Sequence, residues 1–339
     1  RHLSMEQCSS EITALYKASL VGGESFTDLT AGLGVDCSFL ARRFRRADYV
    51  ERQETLCRLA AHNFPLLGLD HIRVHHADAL EYLREMEPVD CLFLDPARRD
   101  SHGGKTVAIT ECEPDVCALE SLLVEKGRKV MVKLSPMLDM ASALRDLKYI
   151  RELHVIAVNN ECKELTAVLY QMNSVNESSE TEVVISCEQA AHNSLSEPFT
   201  YTLSEEKNAV CQLADRVETY LYEPGAALLK AGPYRLLSQR YGVKKLHPNS
   251  HLYTSSVQVD FPGRCFQVTG ISGFGKKEVK ELLSGLEKAN LTVRNFPASV
   301  ADLRKKLKLK EGGDVYLFAT TLQNGEKVLI KCLKPALLS

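Results

Sequence analysis

Between Ser25 and about Met172 the chain alternates short apolar runs with amphipathic stretches, and no other feature limits its fold as strongly. FTDLT precedes VDCSFLARRF, YVE precedes RQETLCRLAAHNF, IRVHHAD precedes ALEYLREM, VDCLFLDP precedes VCALESLLVEK, and RKVMVKLSP precedes MASALRDL. Short apolar runs read as strands and the longer stretches as helices; units repeated this regularly imply a mostly parallel sheet with helices on both faces. The last two runs, LHVIAV and LTAVLYQM, are separated only by NNECKE. So short a connection predicts an antiparallel final strand that enters the sheet by a tight return. The expected class is α/β.

At 339 residues the chain is long enough for more than one domain of about 150 residues. The polar stretch NSVNESSET, 173–181, reads as a loop and sets a first boundary, giving domains 1–176, 177–262 and 263–339. The middle piece holds YLYEP, a short helix at AALLKA, and HLYTSSVQV. The last piece reads as a small α+β unit: RCFQVTGI strand, KKEVKELLSGLEKA helix, LTVRNF strand, SVADLRKKL helix, then DVYLFATTL and KVLIKCL paired around Asn324-Gly325. Asn-Gly between two alternating apolar runs is a strong hairpin signal.

A formal net charge of -2 conceals an asymmetry, because residues 263–339 carry 14 basic and 7 acidic side chains. Such a tail suits a polyanion, a solvated charged face being the alternative. No apolar stretch reaches the about 18 residues needed to cross a bilayer, and the first twenty residues lack the apolar centre of a signal peptide. A cytoplasmic protein with no membrane contact is expected. The 11 cysteines are odd in number and scattered without a CxxC pair, which favours reduced, mostly buried thiols over disulfides or structural zinc. No metal is expected.

Chemistry concentrates in the strand-to-helix turns. Asp28-Leu29-Thr30-Ala31-Gly32-Leu33-Gly34 follows the first strand, and its glycines let backbone N–H groups approach a ligand, although neither GxGxxG nor GxxxxGK[ST] is present. Acids then recur at strand ends: Glu51, Asp78 and Asp95. Each alone can be a helix cap. With Asp28, four in register at the carboxyl edge of a doubly wound sheet are expected to converge on the ligand crevice. Glu51, about 20 residues past the glycine turn, is placed to accept from ribose hydroxyls, and Asp78 to accept from an adenine amino group.

The order D-x-T-A-G-x-G, then E, then D, then D-P-A-R resembles motifs I to IV of the class I S-adenosylmethionine-dependent methyltransferases over about Phe26 to Met172. The resemblance implies a Rossmann-like fold in which Asp28, Thr30, Ala31, Gly32 and Gly34 surround the methionine part of S-adenosyl-L-methionine. Glu51 then holds the ribose and Asp78 the adenine, with Arg52, Ala79 and Asp95 also on the cofactor side. A narrower resemblance rests on QCSSEITALYK, DPARRD, KLSPMLD, NNECKE, YLYEP, HPNSHLYTS, FPASVADLRKKLKLKEGG and YLFATTL. These are similar to the bacterial methyltransferases that carry a small ferredoxin-like insert and a carboxyl-terminal THUMP-like domain. That likeness implies RNA, tRNA or rRNA, as the partner.

The loop facing the transferable methyl group reads Asp95-Pro96-Ala97-Arg98-Arg99-Asp100. It departs from the [DN]-P-P-[YFW] of amino-methylating nucleic-acid enzymes, so a stacked base would need an arginine plane or a residue from elsewhere. After the fifth strand stands Lys133-Leu134-Ser135-Pro136, without a cysteine, which disfavours carbon methylation through a thiolate adduct. Transfer to nitrogen or oxygen of a nucleotide in structured RNA is the expected reaction, with Asp95, Pro96, Arg98 and Lys133 as the catalytic set. Arg99, Glu161 and Lys163 are candidates on the substrate side. The arginines can instead pair with Asp95 and Asp100, and NNECKE can be a polar turn with internal salt bridges. Arg304, Lys305 and Lys306 either meet phosphate or complement a helix dipole. Two other readings stay open: a small-molecule or protein methyltransferase that uses its tail to dimerise, and a non-catalytic RNA-binding protein that keeps the fold.

Overall fold

A computed structural model describes residues 9–98, 109–170, 182–191 and 194–335. The chain forms two compact units, Arg1–Thr202 and Leu203–Ser339.

The first unit begins with α1 (Glu11–Ser19), whose amino end is capped by Ser10 Oγ accepting from the Thr13 N–H. Strand–helix units follow: β1 (Gly23–Asp28), α2 (Val35–Leu40), β2 (Phe44–Glu51), α3 (Glu54–Leu66), β3 (Ile72–His76), α4 (Ala79–Glu85) and β4 (Val89–Leu94). Two short strands, β5 (Ala97–Arg98) and β6 (Cys112–Glu113), pair with each other, and then come α5 (Val116–Lys126), β7 (Gly127–Leu134), α6 (Met140–Asp146), β8 (Ile150–Val158) and β9 (Glu161–Leu169). The side chains of Asp115 and Asp139 cap α5 and α6, accepting from the N–H groups of Ala118 and Ala141.

Strands β3, β2, β1, β4 and β7 lie side by side and parallel. β9 runs antiparallel between β7 and β8, the tight return expected from NNECKE, with Asn159 and Asn160 both in the left-handed region. One face buries Phe26, Leu40, Phe44, Tyr49, Phe64, Phe93 and Met131 in a single cluster.

The expected boundary at 176/177 falls outside the described residues, and the strand beyond it departs from expectation. β10 (Val184–Ala191) pairs parallel to β8 and carries β11 (Ser194–Leu195) and β12 (Phe199–Tyr201), so among the described residues the first sheet has ten strands, and its unit extends to Thr202. An apolar run such as VVISC specifies a buried strand without specifying which sheet it joins.

The second unit contains α7 (Leu203–Asn208), β13 (Tyr220–Pro224), α8 (Ala226–Ala231), α9 (Tyr234–Tyr241), β14 (Lys244–Lys245), β15 (Tyr253–Ser255) and β16 (Gly263–Ser272). It closes with α10 (Lys276–Leu282), β17 (Asn290–Val293), α11 (Val300–Leu307), β18 (Tyr316–Thr321) and β19 (Lys327–Leu333). One seven-stranded sheet, in the order β14-β15-β13-β16-β19-β18-β17, runs through all of it. The antiparallel ladder of β13 on β16, with Leu221 opposite Phe266, joins the two segments that the sequence separates at 262/263. Its two faces are both buried: Leu221, Phe266, Phe318 and Ile330 form one cluster, and Leu303, Leu317, Ala319 and Leu329 the other. Alternation along β18 sends neighbouring residues to opposite cores.

Candidate active site

The turn after β1 is tied to two neighbouring strands. The Leu29 N–H donates to Phe93 O at 3.0 Å, and the Ala31 N–H to Val50 O at 3.1 Å. Gly32 and Gly34 have φ of 54° and 78°, a region that favours glycine. A Cβ on Gly34 would also stand 3.1 Å from the Phe64 ring. Glu51, at the end of β2, accepts from the Gly32 N–H at 3.0 Å and from the Gln53 N–H at 2.8 Å, and the Tyr49 hydroxyl donates to Gly32 O at 2.5 Å. The bend is therefore held by donors and acceptors from β2, not by its own sequence alone.

Asp28 ends β1 and is 1% exposed, with its carboxylate accepting from the Thr30 N–H at 3.1 Å. Burial pushes its carboxyl well above the usual range, and the nearby carboxylates of Asp36, Asp95 and Glu51 push the same way. Asp95 follows β4; its N–H donates to Thr30 Oγ1 at 2.6 Å, and its Oδ2 accepts from Lys133 Nζ at 2.6 Å. Burial raises Asp95 against the opposing pull of Lys133. For Lys133 burial works against the charge, yet Asp95, Asp36 and Glu164 together hold the ammonium above its ordinary value.

A second, deeper ion network adjoins this pair. Lys17 of α1 is completely buried, with Nζ 2.9 Å from Asp36 Oδ1, 2.7 Å from Glu164 Oε1 and 2.7 Å from Ser9 Oγ. The Ser9 hydroxyl donates to Asp36 Oδ2 at 2.8 Å, and Lys133 Nζ stands 4.0 Å from that same oxygen. Three elements that are distant in sequence, α1, α2 and β9, thus meet through one ammonium.

The outer members of these networks line one cleft at the carboxyl ends of β1, β4 and β7, with Lys17 and Glu164 behind them. Ser9, Asp28, Thr30, Ala31, Gly32, Asp36, Asp95 and Lys133 face it, with Gln53 beside them and Leu33, Val35, Leu56 and Phe93 as apolar walls. Six sequence candidates are therefore together: Asp28, Thr30, Ala31, Gly32, Asp95 and Lys133. Glu51 adjoins them through its bonds to Gly32 and Gln53. Gly34 caps α2 at the back of the turn. Asp78 is exposed and caps α4, accepting from the N–H groups of Leu80 and Glu81, and Ala79 opens that helix. Neither Asp78 nor Ala79 lines the cleft. Arg52 is exposed and pairs with Glu113 at 3.5 Å. Pro96 is buried, the Arg98 backbone pairs with Cys112, and Arg99 lies outside the described residues. Glu161 and Lys163 are exposed and pair with each other at 2.6 Å. Arg304, Lys305 and Lys306 stand on α11 of the second unit.

Ser9, Lys17 and Asp36 were not singled out from the sequence. The available signal was a lysine on the apolar face of α1, flanked by the buried Ile12, Ala14 and Tyr16. A fully buried lysine is rare unless it is paired.

Among solved structures, a crystal structure of a candidate methyltransferase from Porphyromonas gingivalis W83 is 36% identical in sequence, covers 98% of this chain and 83% of its own, and superposes with a TM-score of 0.89. Residues 220–262 match a family described as a ferredoxin-like domain, and residues 263–334 one described as THUMP domain-like. The chain belongs to the class I methyltransferase family that carries these two domains. More distant likenesses cover about half of this chain. An rRNA methylase from Streptococcus thermophilus is 15% identical over 51% of this chain and 96% of its own, with a TM-score of 0.36. A candidate methyltransferase from Streptococcus mutans, solved with SAH, is 13% identical over 48% and 98%, with a TM-score of 0.34. No curated protein matches the chain. Among the described residues of this chain, no group of three or more His, Cys, Asp or Glu side chains is placed to hold a metal ion, and no helix is long and apolar enough to cross a membrane.

Proposed function

We propose that this family member transfers a methyl group from S-adenosyl-L-methionine to a nitrogen or oxygen of a nucleotide in structured RNA, a tRNA or an rRNA, in the cytoplasm. The observation that carries the proposal is the charge of the cleft. Among the described residues, Asp28, Asp36, Asp95 and the adjoining Glu51 and Glu164 outnumber Lys17 and Lys133, and none of these residues places a cation at hydrogen-bond distance from the buried Asp28. A ligand with a sulfonium and an ammonium relieves that excess. The residues fit this cofactor: Asp28, Thr30, Ala31 and Gly32 take its amino-acid end, with Gly34 shaping the turn. Each Glu51 oxygen keeps a second lone pair for a ribose hydroxyl. Arg52, Asp78 and Ala79 border the adenine side.

S-adenosyl-L-methionine supplies a methyl carbon on sulfur that is already a good leaving group, so the chain has mainly to align an acceptor with it. Asp95 receives the proton that leaves the acceptor nitrogen or oxygen. Its carboxyl, raised by burial, is better matched to that task near neutral pH than an ordinary aspartate. Lys133 fixes the Asp95 carboxylate, Pro96 and Arg98 belong to the loop beside it, and Arg99, Glu161 and Lys163 are the proposed contacts to the substrate. The lack of a cysteine in the Lys133-Leu134-Ser135-Pro136 segment that ends β7 supports nitrogen or oxygen over carbon as the acceptor. The THUMP-like match and the basic excess of 263–339, with Arg304, Lys305 and Lys306, support RNA as the partner.

The test is transfer of tritiated methyl groups to total RNA from cells lacking the protein, followed by nucleoside mass spectrometry. One labelled nucleoside is expected, absent with Asp95→Asn. Label in protein or small molecules, with RNA unlabelled, would overturn the RNA assignment.

A further inference from the structure

We infer that the second unit holds a pocket for a single unpaired RNA nucleotide, formed by Phe274, Phe296 and Ala298 under a rim of Lys306 and Lys327. The inference rests on the RNA reading above and adds to it a specific seat on the protein and a specific feature of the RNA.

Phe274 lies between β16 and α10, and Phe296 between β17 and α11. Their ring centroids are 4.7 Å apart, with planes tilted by 36°. Both rings are half-buried: they pack on the core that holds Leu303, Leu317 and Leu329, and they also line a surface cavity of about 270 Å³ with Pro297, Ala298 and Leu303. Lys306 and Lys327 are exposed and complete its lining, and Lys306 Nζ stands 6.0 Å from the centroid of the Phe274 ring. A shallow aromatic floor below ammonium groups is what an unstacked base and its phosphate require. The one acid in the lining, Asp302, accepts from the Ser299 hydroxyl at 2.6 Å and keeps lone pairs for an exocyclic amine.

The loop carrying Phe296 is fixed before any ligand arrives. Asn295 is left-handed at φ 49°, its carbonyl accepts from the Thr321 hydroxyl at 2.7 Å, and its side-chain amide meets His247 Nδ1 at 3.0 Å. Such a preformed cleft spares a ligand the cost of ordering it. The cavity is too small for a duplex, and the basic excess of 263–339 disfavours a cationic occupant.

The experiment uses the full chain and two hairpin RNAs, one with a single 2-aminopurine bulge and one fully paired. The expected result is tighter binding of the bulged RNA with a change in 2-aminopurine fluorescence. Filling the cavity with Ala298→Trp should weaken bulged RNA by roughly five- to a hundredfold and leave the paired RNA unchanged. A folded A298W protein with unaltered affinity and fluorescence overturns the inference. Should A298W not fold, photo-crosslinking from 4-thiouridine at the bulge decides: attachment within 274–298 supports the pocket, and attachment elsewhere overturns it. Equal, salt-sensitive binding of both RNAs overturns the pocket but leaves the RNA reading intact, whereas no binding of any RNA removes both. Displacement of the bulged RNA by an acidic phenylalanine-containing peptide that binds more tightly also overturns it.

Discussion

Lys17 holds two carboxylates in a place closed to water, with its side chain fully buried and those of Asp36 and Glu164 at 9% and 3% exposure. Lys17→Met leaves Glu164 without its paired ammonium and Asp36 with only Lys133, 4.0 Å away, so it should cost about 3–5 kcal/mol, measured by urea denaturation. A loss below 1 kcal/mol would mean that the acids find other partners. Asp28 makes the opposite prediction. Its carboxyl is raised in the folded state, so folding carries a penalty at neutral pH that fades as pH falls through that raised value toward the unfolded value of about 3.9. Without cofactor, Asp28→Asn should therefore be more stable than the wild type near pH 7, with the advantage shrinking on acidification. The same variant should bind S-adenosylhomocysteine at least about tenfold more weakly. Titration calorimetry with the wild type should detect proton release on binding in mildly acidic buffer; none would argue against a titrating Asp28.

Among elements, the glycine turn and the helix caps separate stability from binding. Gly34→Ala forces a Cβ into the left-handed region and toward Phe64, which should cost about 1–2 kcal/mol and weaken cofactor binding as the turn shifts. Asp78→Ala removes the α4 cap and should cost about 1 kcal/mol in thermal or chemical denaturation. Weaker cofactor binding in that variant, beyond the stability change, would assign Asp78 to the adenine side; unchanged binding would leave it a cap. The strand–helix alternation was legible because apolar period distinguishes the two types locally, and the β8–β9 return because six polar residues cannot hold a helix. Asn324-Gly325 was legible for the same local reason, with Gly325 at φ 84° between β18 and β19. β10 was not, because partner choice is made across the sheet. In the site, Asp28, Gly32 and Asp95 could be found from strand ends. Lys17 could not be matched to Glu164, 147 positions away, by any local pattern. Phe296 and Lys306 fall in the FPASVADLRKKLKLKEGG segment, but no local pattern brings Phe274 and Lys327 to them.

For the whole molecule, the charge asymmetry predicts that RNA affinity falls steeply with salt. Lys305→Glu with Lys306→Glu should flatten the slope of log K against log salt by about one to two, measured by filter binding, with cofactor affinity unchanged. A slope equal to that of the wild type would place the phosphate contacts elsewhere. The seven-stranded sheet has a different implication. The ferredoxin-like and THUMP-like matches meet at 262/263, and this seam is crossed by five residue pairs of β13 and β16. Gly263 stands so close to the Glu223 carbonyl that a Cβ would overlap it. Severing the polypeptide at that seam would leave two half-sheets with raw, adhesive margins prone to aggregate. What matches two separate families must therefore be expressed and engineered as a single piece.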